Sequence, residues 1–180
     1  DLMIFSDFNY GVLPQSLVYD MTKLAKNNEV MIAADSQSSS QTGDIARFLC
    51  ADLITPTERE ARLSLRDNQI GLVQLSENLL HKASAKNILL KLGEEGILVN
   101  PGKENLKNEV TDRIGALNQS PKDVAGAGDS LLVSSSLALL CGSNIWEAAY
   151  IGSVAAAIQV GRVGNSPIQV REILNHLSDL

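Results

Sequence analysis

The stretch Asp123-Val124-Ala125-Gly126-Ala127-Gly128-Asp129-Ser130 carries residue types suited to chemistry. Ala125, Gly126, Ala127 and Gly128 have little or no side chain, so the backbone there can approach a ligand closely. The run passes directly into an apolar segment, which puts its N–H groups at a helix N-terminus. Unpaired donors and the helix dipole favour an anion at that end. Asp129 adds a carboxylate in the same first turn. An anion cradle beside a carboxylate fits phosphoryl transfer: the amides hold the transferring phosphate and the carboxylate takes a proton from an attacking hydroxyl. A second reading needs no chemistry, with Asp129 merely complementing the helix dipole. Other phosphate motifs fail. Gly102-Lys103 is followed by Glu104 where a P-loop needs Ser or Thr, and the third small residue of a dinucleotide fingerprint is replaced by Leu131.

The elements around this loop follow from apolar periodicity. Leu2–Phe5, Val30–Ala33, Leu53-Ile54, Ile88–Leu92 and Ile97–Asn100 read as strands, with a further one near Glu109–Arg113. The fourth and fifth pair across Gly93-Glu94-Glu95-Gly96. Helical periods predict helices over Pro14–Lys26, Glu58–Leu65, Gly71–Ala85, Ala127–Cys141, Ile145–Val163 and Ile168–Leu180, and a short one over Ile45–Cys50. Residues 36–43 and 101–108 are the weakest spots in one α/β domain over 1–180. Alternating units of this kind predict a mostly parallel sheet with helices on both faces, and ligands at the C-terminal strand ends.

Composition excludes several classes. The chain has 180 residues, 44% hydrophobic and 20% charged, enough to build a core without staples. Fifteen Lys and Arg face 21 Asp and Glu, a net charge of -6 that argues against nucleic acid as a partner. The two cysteines, Cys50 and Cys141, are too far apart in sequence for a zinc or disulfide framework and read as buried free thiols of a reducing cytoplasm. The apolar stretches Leu131–Cys141 and Ala148–Ile158 are too short to span a membrane, and the N-terminus, with no basic region ahead of a long apolar stretch, does not read as a signal peptide. His81 and His176 lack ligand-spaced partners. The start at Asp1, without Met and inside an apolar run, reads as a fragment.

Asp123–Asp129 resembles the C-terminal signature of PfkB, or ribokinase-like, carbohydrate kinases. Thr55-Pro56-Thr57-Glu58-Arg59-Glu60-Ala61 is similar to their Thr-Pro-Asn-x-x-Glu segment, and Lys91-Leu92-Gly93-Glu94-Glu95-Gly96 to their Thr-x-Gly-x-x-Gly turn. Ala155-Ala156-Ala157-Ile158 through Gly164 resembles the Ala-rich helix and turn that close over the nucleotide. The resemblance implies ATP-dependent phosphorylation of a sugar or sugar-phosphate hydroxyl. Asp129 would then be the base and Ala125–Gly128 the anion hole. Lys91, Gly93, Gly96, Ser153 and Ala157 would border the nucleotide. Glu60 would position Mg2+ through water, and Asp123 and Gly164 would lie near a K+ loop. A cytoplasmic homodimer is implied for the full-length protein, with its N-terminal sugar-binding part and lid missing from this chain. Phe5–Leu13 and Val160–Ser166 are similar to segments of the heptose-7-phosphate kinases of the ADP-heptose pathway.

The sequence departs from the family pattern at Thr57 (Asn), Lys91 (Thr), Ser153 (Asn), Ser134 (Gly or Ala) and Tyr10 (Lys of the heptose branch). Thr57 and Glu60 equally fit a capping box, and Lys91 a solvated strand end. Asp7 reads either as a substrate-side residue or as a turn cap. Two rivals stand beside the kinase. One is a non-catalytic nucleotide-binding module of the same fold. The other is a GDSL-type esterase, because Gly128-Asp129-Ser130-Leu131 matches that signature with Ser130 as nucleophile. The esterase lacks a paired base, since Ile173 stands three residues before His176 where an aspartate is needed.

Overall fold

The computed structural model describes residues 1–38, 41–102 and 110–178. Its strands are β1 (Leu2–Asp7), β2 (Met31–Ser36), β3 (Leu53–Ile54), β4 (Asn87–Lys91), β5 (Ile97–Pro101) and β6 (Asp112–Ile114). Its helices are α1 (Gln15–Asn27), α2 (Glu58–Leu65), α3 (Leu72–Ala83), α4 (Ala127–Leu140), α5 (Ile145–Val160) and α6 (Val170–Ser178). The six strands form one sheet in sequence order. β1 to β4 run parallel, while β5 and β6 are antiparallel additions.

The strands are apolar on both sides because helices cover both faces. In β4 the alternation is direct. Ile88 and Leu90 pack with Phe5, Ile32, Ile54 and the α1–α3 residues Val18, Leu75 and Leu79. Leu89 packs on the opposite face with Leu131 and Leu132 of α4 and Ile145 and Ala149 of α5. Helices α4 and α5 approach closely because α5 carries Gly152, where a Cβ would run into Leu131 and the Ser135 hydroxyl. Ser135, one of the serines that interrupt the apolar run of α4, therefore serves a tight helix contact; Ser135 and Ser136 are fully buried.

Several sequence expectations shift. β2 runs on to Ser36, because Ser6 and Asp7 of β1 pair with Asp35 and Ser36. The segment 45–50 reduces to a 3-10 turn over Ile45–Arg47, capped by the Asp44 side chain. Helix α5 stops at Val160 rather than 163, where Gly161 closes the helix and Gly164 adopts φ +79°. The strand expected near 109–113 lies at 112–114, and the weak segment 101–108 falls largely outside the described residues. Cys50 and Cys141 are free but exposed, contrary to the expected burial. Cys50 occupies a left-handed turn ahead of β3 and Cys141 the C-cap of α4, and both face solvent. Among the described residues no helix is long and apolar enough to cross a membrane.

Candidate active site

The small-residue loop enters α4 through Gly126, which sits at the N-cap with φ 77° and ψ 0°. That left-handed conformation suits glycine, and a Cβ there would run into the side chain of Asn165. The loop is tied from behind. Asp123 accepts hydrogen bonds from the N–H of Ala125 and of Gly164, each at 3.0 Å. These two bonds hold its carboxyl below the ordinary carboxylate range. The buried Gln159 amide donates to the carbonyls of Ala125 (3.2 Å) and Gly164 (3.0 Å). A polar residue at the apolar C-terminal end of α5 is the sequence signal for Gln159, and Asn165 lies within the Val160–Ser166 segment. Asp129 falls in the first turn of α4.

Across from the loop stands the C-terminal end of β4. The Lys91 N–H donates to the carbonyl of Pro56 (2.8 Å), and Lys91 bridges Thr57 in parallel register. Its ammonium lies 3.0 Å from both carboxylate oxygens of Asp35, the penultimate residue of β2. A Cβ on Gly128 would come within 3.3 Å of the same ammonium, so strand end and helix start face each other at contact distance. Burial pushes the Asp35 carboxyl up from its ordinary value, the Lys91 charge pulls it back, and Glu60 and Asp129 push it further up. The signal for Asp35 was a carboxylate directly after the apolar run of β2, at the strand end where such sheets bind ligands.

Glu60 completes a capping box with Thr57: its Oε2 accepts from the Thr57 N–H (2.7 Å) while the Thr57 hydroxyl accepts from the Glu60 N–H (3.2 Å). Its other oxygen accepts from the Ser38 N–H at 3.1 Å. Both oxygens are thus engaged with backbone. Among the described residues no group of three or more Asp, Glu, His or Cys is placed to hold a metal ion. Direct ligation of magnesium is not what these residues offer; contact through water remains open to the lone pairs Glu60 has left. Asp7 is held by the Asn9 N–H (2.9 Å) and by Arg47 (2.7 Å), as in a turn-capping role.

Between these two sides opens a cleft of about 970 Å³. Lys91, Gly93, Gly96, Ala127, Gly128, Ser153 and Ala157 line it together, drawn from three separate stretches of sequence. Thr57, Arg113 and Asn118 also line it. Ala125, Gly126, Asp129, Glu60, Asp123 and Gly164 are not in its wall. Gly96 is needed where β5 begins, since its φ is +91° and a Cβ would collide with the Ile114 carbonyl. Ser153 spends its hydroxyl on the Ala149 carbonyl within α5 (2.8 Å).

A model of the pfkB family of carbohydrate kinases matches residues 1–170. The chain belongs to that family. It is 32% identical over 184 residues to the bifunctional protein HldE of Desulfatibacillum aliphaticivorans, covering 99% of this chain and 35% of that protein. HldE of Geobacter metallireducens is 28% identical, with 98% and 35% covered. The chain thus spans about a third of the length of these curated relatives. Among solved structures, Escherichia coli phosphofructokinase-2 in complex with potassium superposes with a TM-score of 0.81 at 14% identity, over 99% of this chain and 56% of that one. Arabidopsis thaliana ribokinase complexed with ribose and ATP gives 0.78 at 20% identity, over 98% and 55%. The fold is therefore ribokinase-like. The esterase expectation loses its ground in this family. Ser130 lies inside the first turn of α4, its N–H bonded to the Gly126 carbonyl (2.9 Å), and no hydrogen bond joins it to His81 or His176 among the described residues.

Proposed function

We propose that this chain forms the nucleotide-side part of an ATP-dependent kinase that phosphorylates a sugar or sugar-phosphate hydroxyl. The observation that carries the reading is the start of α4. A glycine-dependent turn delivers Ala127 and Gly128 to the wall of a large cleft and sets Asp129 in the same helical turn. In this reading adenine lies along Ser153 and Ala157, and the polyphosphate passes Gly93, Gly96 and Lys91 towards the loop. Asp129 takes the proton of the acceptor hydroxyl as its oxygen bonds to the γ-phosphorus. The bond from that phosphorus to the β–γ bridging oxygen breaks, and ADP leaves with the electron pair. Within the Ala125–Gly128 loop, the Gly126 and Gly128 N–H groups balance the negative charge that spreads over the transferring group, since the Ala125 N–H is held by Asp123 and the Ala127 N–H by the Val124 carbonyl.

Magnesium supplies counter-charge to the nucleotide when it is bound, and Glu60 would meet only its water shell. Asp123 shapes the loop by holding Ala125 against Gly164, and a potassium ion would add to the same place. The resemblance of Phe5–Leu13 and Val160–Ser166 favours a heptose 7-phosphate as acceptor, in a cytoplasmic homodimer.

The test is Asp129→Asn in the longest natural polypeptide that carries this chain, assayed for sugar-dependent ADP release. Turnover is expected to fall about 10²–10⁴-fold, the usual range for a positioned base, while ATP affinity stays within a few-fold. Retained turnover would remove Asp129 as base. Absence of sugar-dependent ADP release from the unsubstituted polypeptide, with ATP bound, would favour the non-catalytic module.

A further inference from the structure

The pair Asp35–Lys91 asks for an explanation that packing does not give. A buried ion pair is weak evidence for stability, because desolvating two charges offsets their attraction. Here the Lys91 side chain is only 16% exposed and that of Asp35 only 3%. They belong to strands that are not neighbours: β3 lies between β2 and β4. Two strand spacings separate them, roughly 9.6 Å. Lys91 reaches across because β3 is just Leu53–Ile54 and stops short of the other two strands. The reach brings the ammonium to the cleft wall, at contact distance from where a Cβ on Gly128 would sit.

We infer that Lys91 is the resident cation of this cleft, gripping the polyphosphate of the phosphoryl donor, and that Asp35 is the positioning residue that holds its ammonium there. The assignment deepens the nucleotide reading above and rests on it for the identity of the donor. An ammonium has three N–H donors, and the two bonds to Asp35 leave one for a ligand. A lysine acts on phosphate as a compact point charge, which suits a group that moves during transfer. Glu60 is engaged by two backbone N–H groups, and Asp35 is taken by the lysine itself. Lys91 stands where the family pattern has Thr, so this chain puts a full positive charge in place of a hydroxyl.

The probe is inorganic tripolyphosphate, titrated calorimetrically into the chain in EDTA, with adenosine titrated separately. The wild-type chain is expected to bind tripolyphosphate without divalent metal. Lys91→Met should weaken that binding about 10- to 100-fold, the size of a hydrogen-bonded charge contact, and lower its salt dependence. Lys91→Arg should recover part of it. Lys91→Met leaves Asp35 unpaired, so the double variant Asp35→Asn/Lys91→Met guards against misfolding and should show the same loss. Asp35→Asn alone keeps the charge but frees it, and should weaken tripolyphosphate several-fold. Adenosine affinity should stay unchanged in all variants. Equal tripolyphosphate binding by wild type and the double variant, or wild-type binding that requires magnesium, would overturn the assignment. Tripolyphosphate binding without adenosine binding by the wild-type chain would sink the nucleotide reading while leaving Lys91 as a polyphosphate cation.

Discussion

Replacing Gly126 by alanine tests the loop at its tightest point. Two costs follow from the geometry. At φ 77° an L-residue has its Cβ too close to the following carbonyl, a penalty of about 1–2 kcal/mol, reduced by the lower entropy of the unfolded alanine chain. The new Cβ also runs into the Asn165 side chain, and overpacking of this kind costs typically about 1–3 kcal/mol. Gly126→Ala should therefore destabilise by roughly 2–4 kcal/mol. With a urea slope of about 2 kcal/mol/M, the unfolding midpoint falls by roughly 1–2 M. The costs separate in a double-mutant cycle. Asn165→Ala removes the clash but not the backbone penalty, so Gly126→Ala/Asn165→Ala should recover about 1–3 kcal/mol relative to Gly126→Ala. Denaturation followed by far-UV circular dichroism measures all four corners. A Gly126→Ala midpoint matching wild type would refute the left-handed turn. A double variant no better than Gly126→Ala would refute the contact with Asn165.

Acid stability carries a second prediction. Burial works to raise the Asp52 carboxyl, but hydrogen bonds from Lys86 and the Ile32 N–H, with Lys26 nearby, outweigh it and hold the group below its ordinary value. A depressed folded value means stability that is present above the unfolded value, about 3.9, and lost as pH falls through the folded one. Asp52→Asn should thus lower stability at neutral pH and flatten the acid limb of a stability–pH curve; an unchanged acid limb would contradict the arrangement. A third prediction concerns the thiols. Cys50 and Cys141 should both react promptly with a disulfide reagent in the native state, whereas thiol release only on unfolding would return them to the core.

The fold is largely legible because its central strands are buried on both faces and its helices, α4 apart, are amphipathic or capped. Helix α2 was read at its observed bounds, Glu58–Leu65, since the Thr57–Glu60 capping box marks its start. The helical pattern read to Val163 overruns the observed end of α5, because the chain turns at Gly161 to bring Gly164 to Asp123. That turn depends on a contact 41 residues distant, which local periodicity does not contain. The cysteines differ from expectation for a related reason: residue type predicts average burial, but a place in a surface turn or at a helix end decides it here. In the candidate site, the loop was visible as four small residues before an apolar run. Asp35, Gln159 and Asn165 were not singled out, because their importance lies in partners from other strands and turns. Lys91 was seen as a departure, yet its partner emerges only when β3 proves too short to separate it from Asp35.

In the proposed kinase reading, the cleft beside α4 receives a nucleotide with its phosphates against Gly128. Calorimetric titration of the chain with ATP, compared with Gly128→Leu, tests it most directly. Gly128 has an ordinary backbone conformation, so the substitution fills the cleft beside Lys91 and leaves the turn at Gly126 intact. ATP is expected to bind in the micromolar-to-millimolar range and to weaken by at least about tenfold in the variant, the effect of losing one phosphate contact. Undiminished ATP binding by a folded Gly128→Leu chain, or none by a folded wild type, would contradict it.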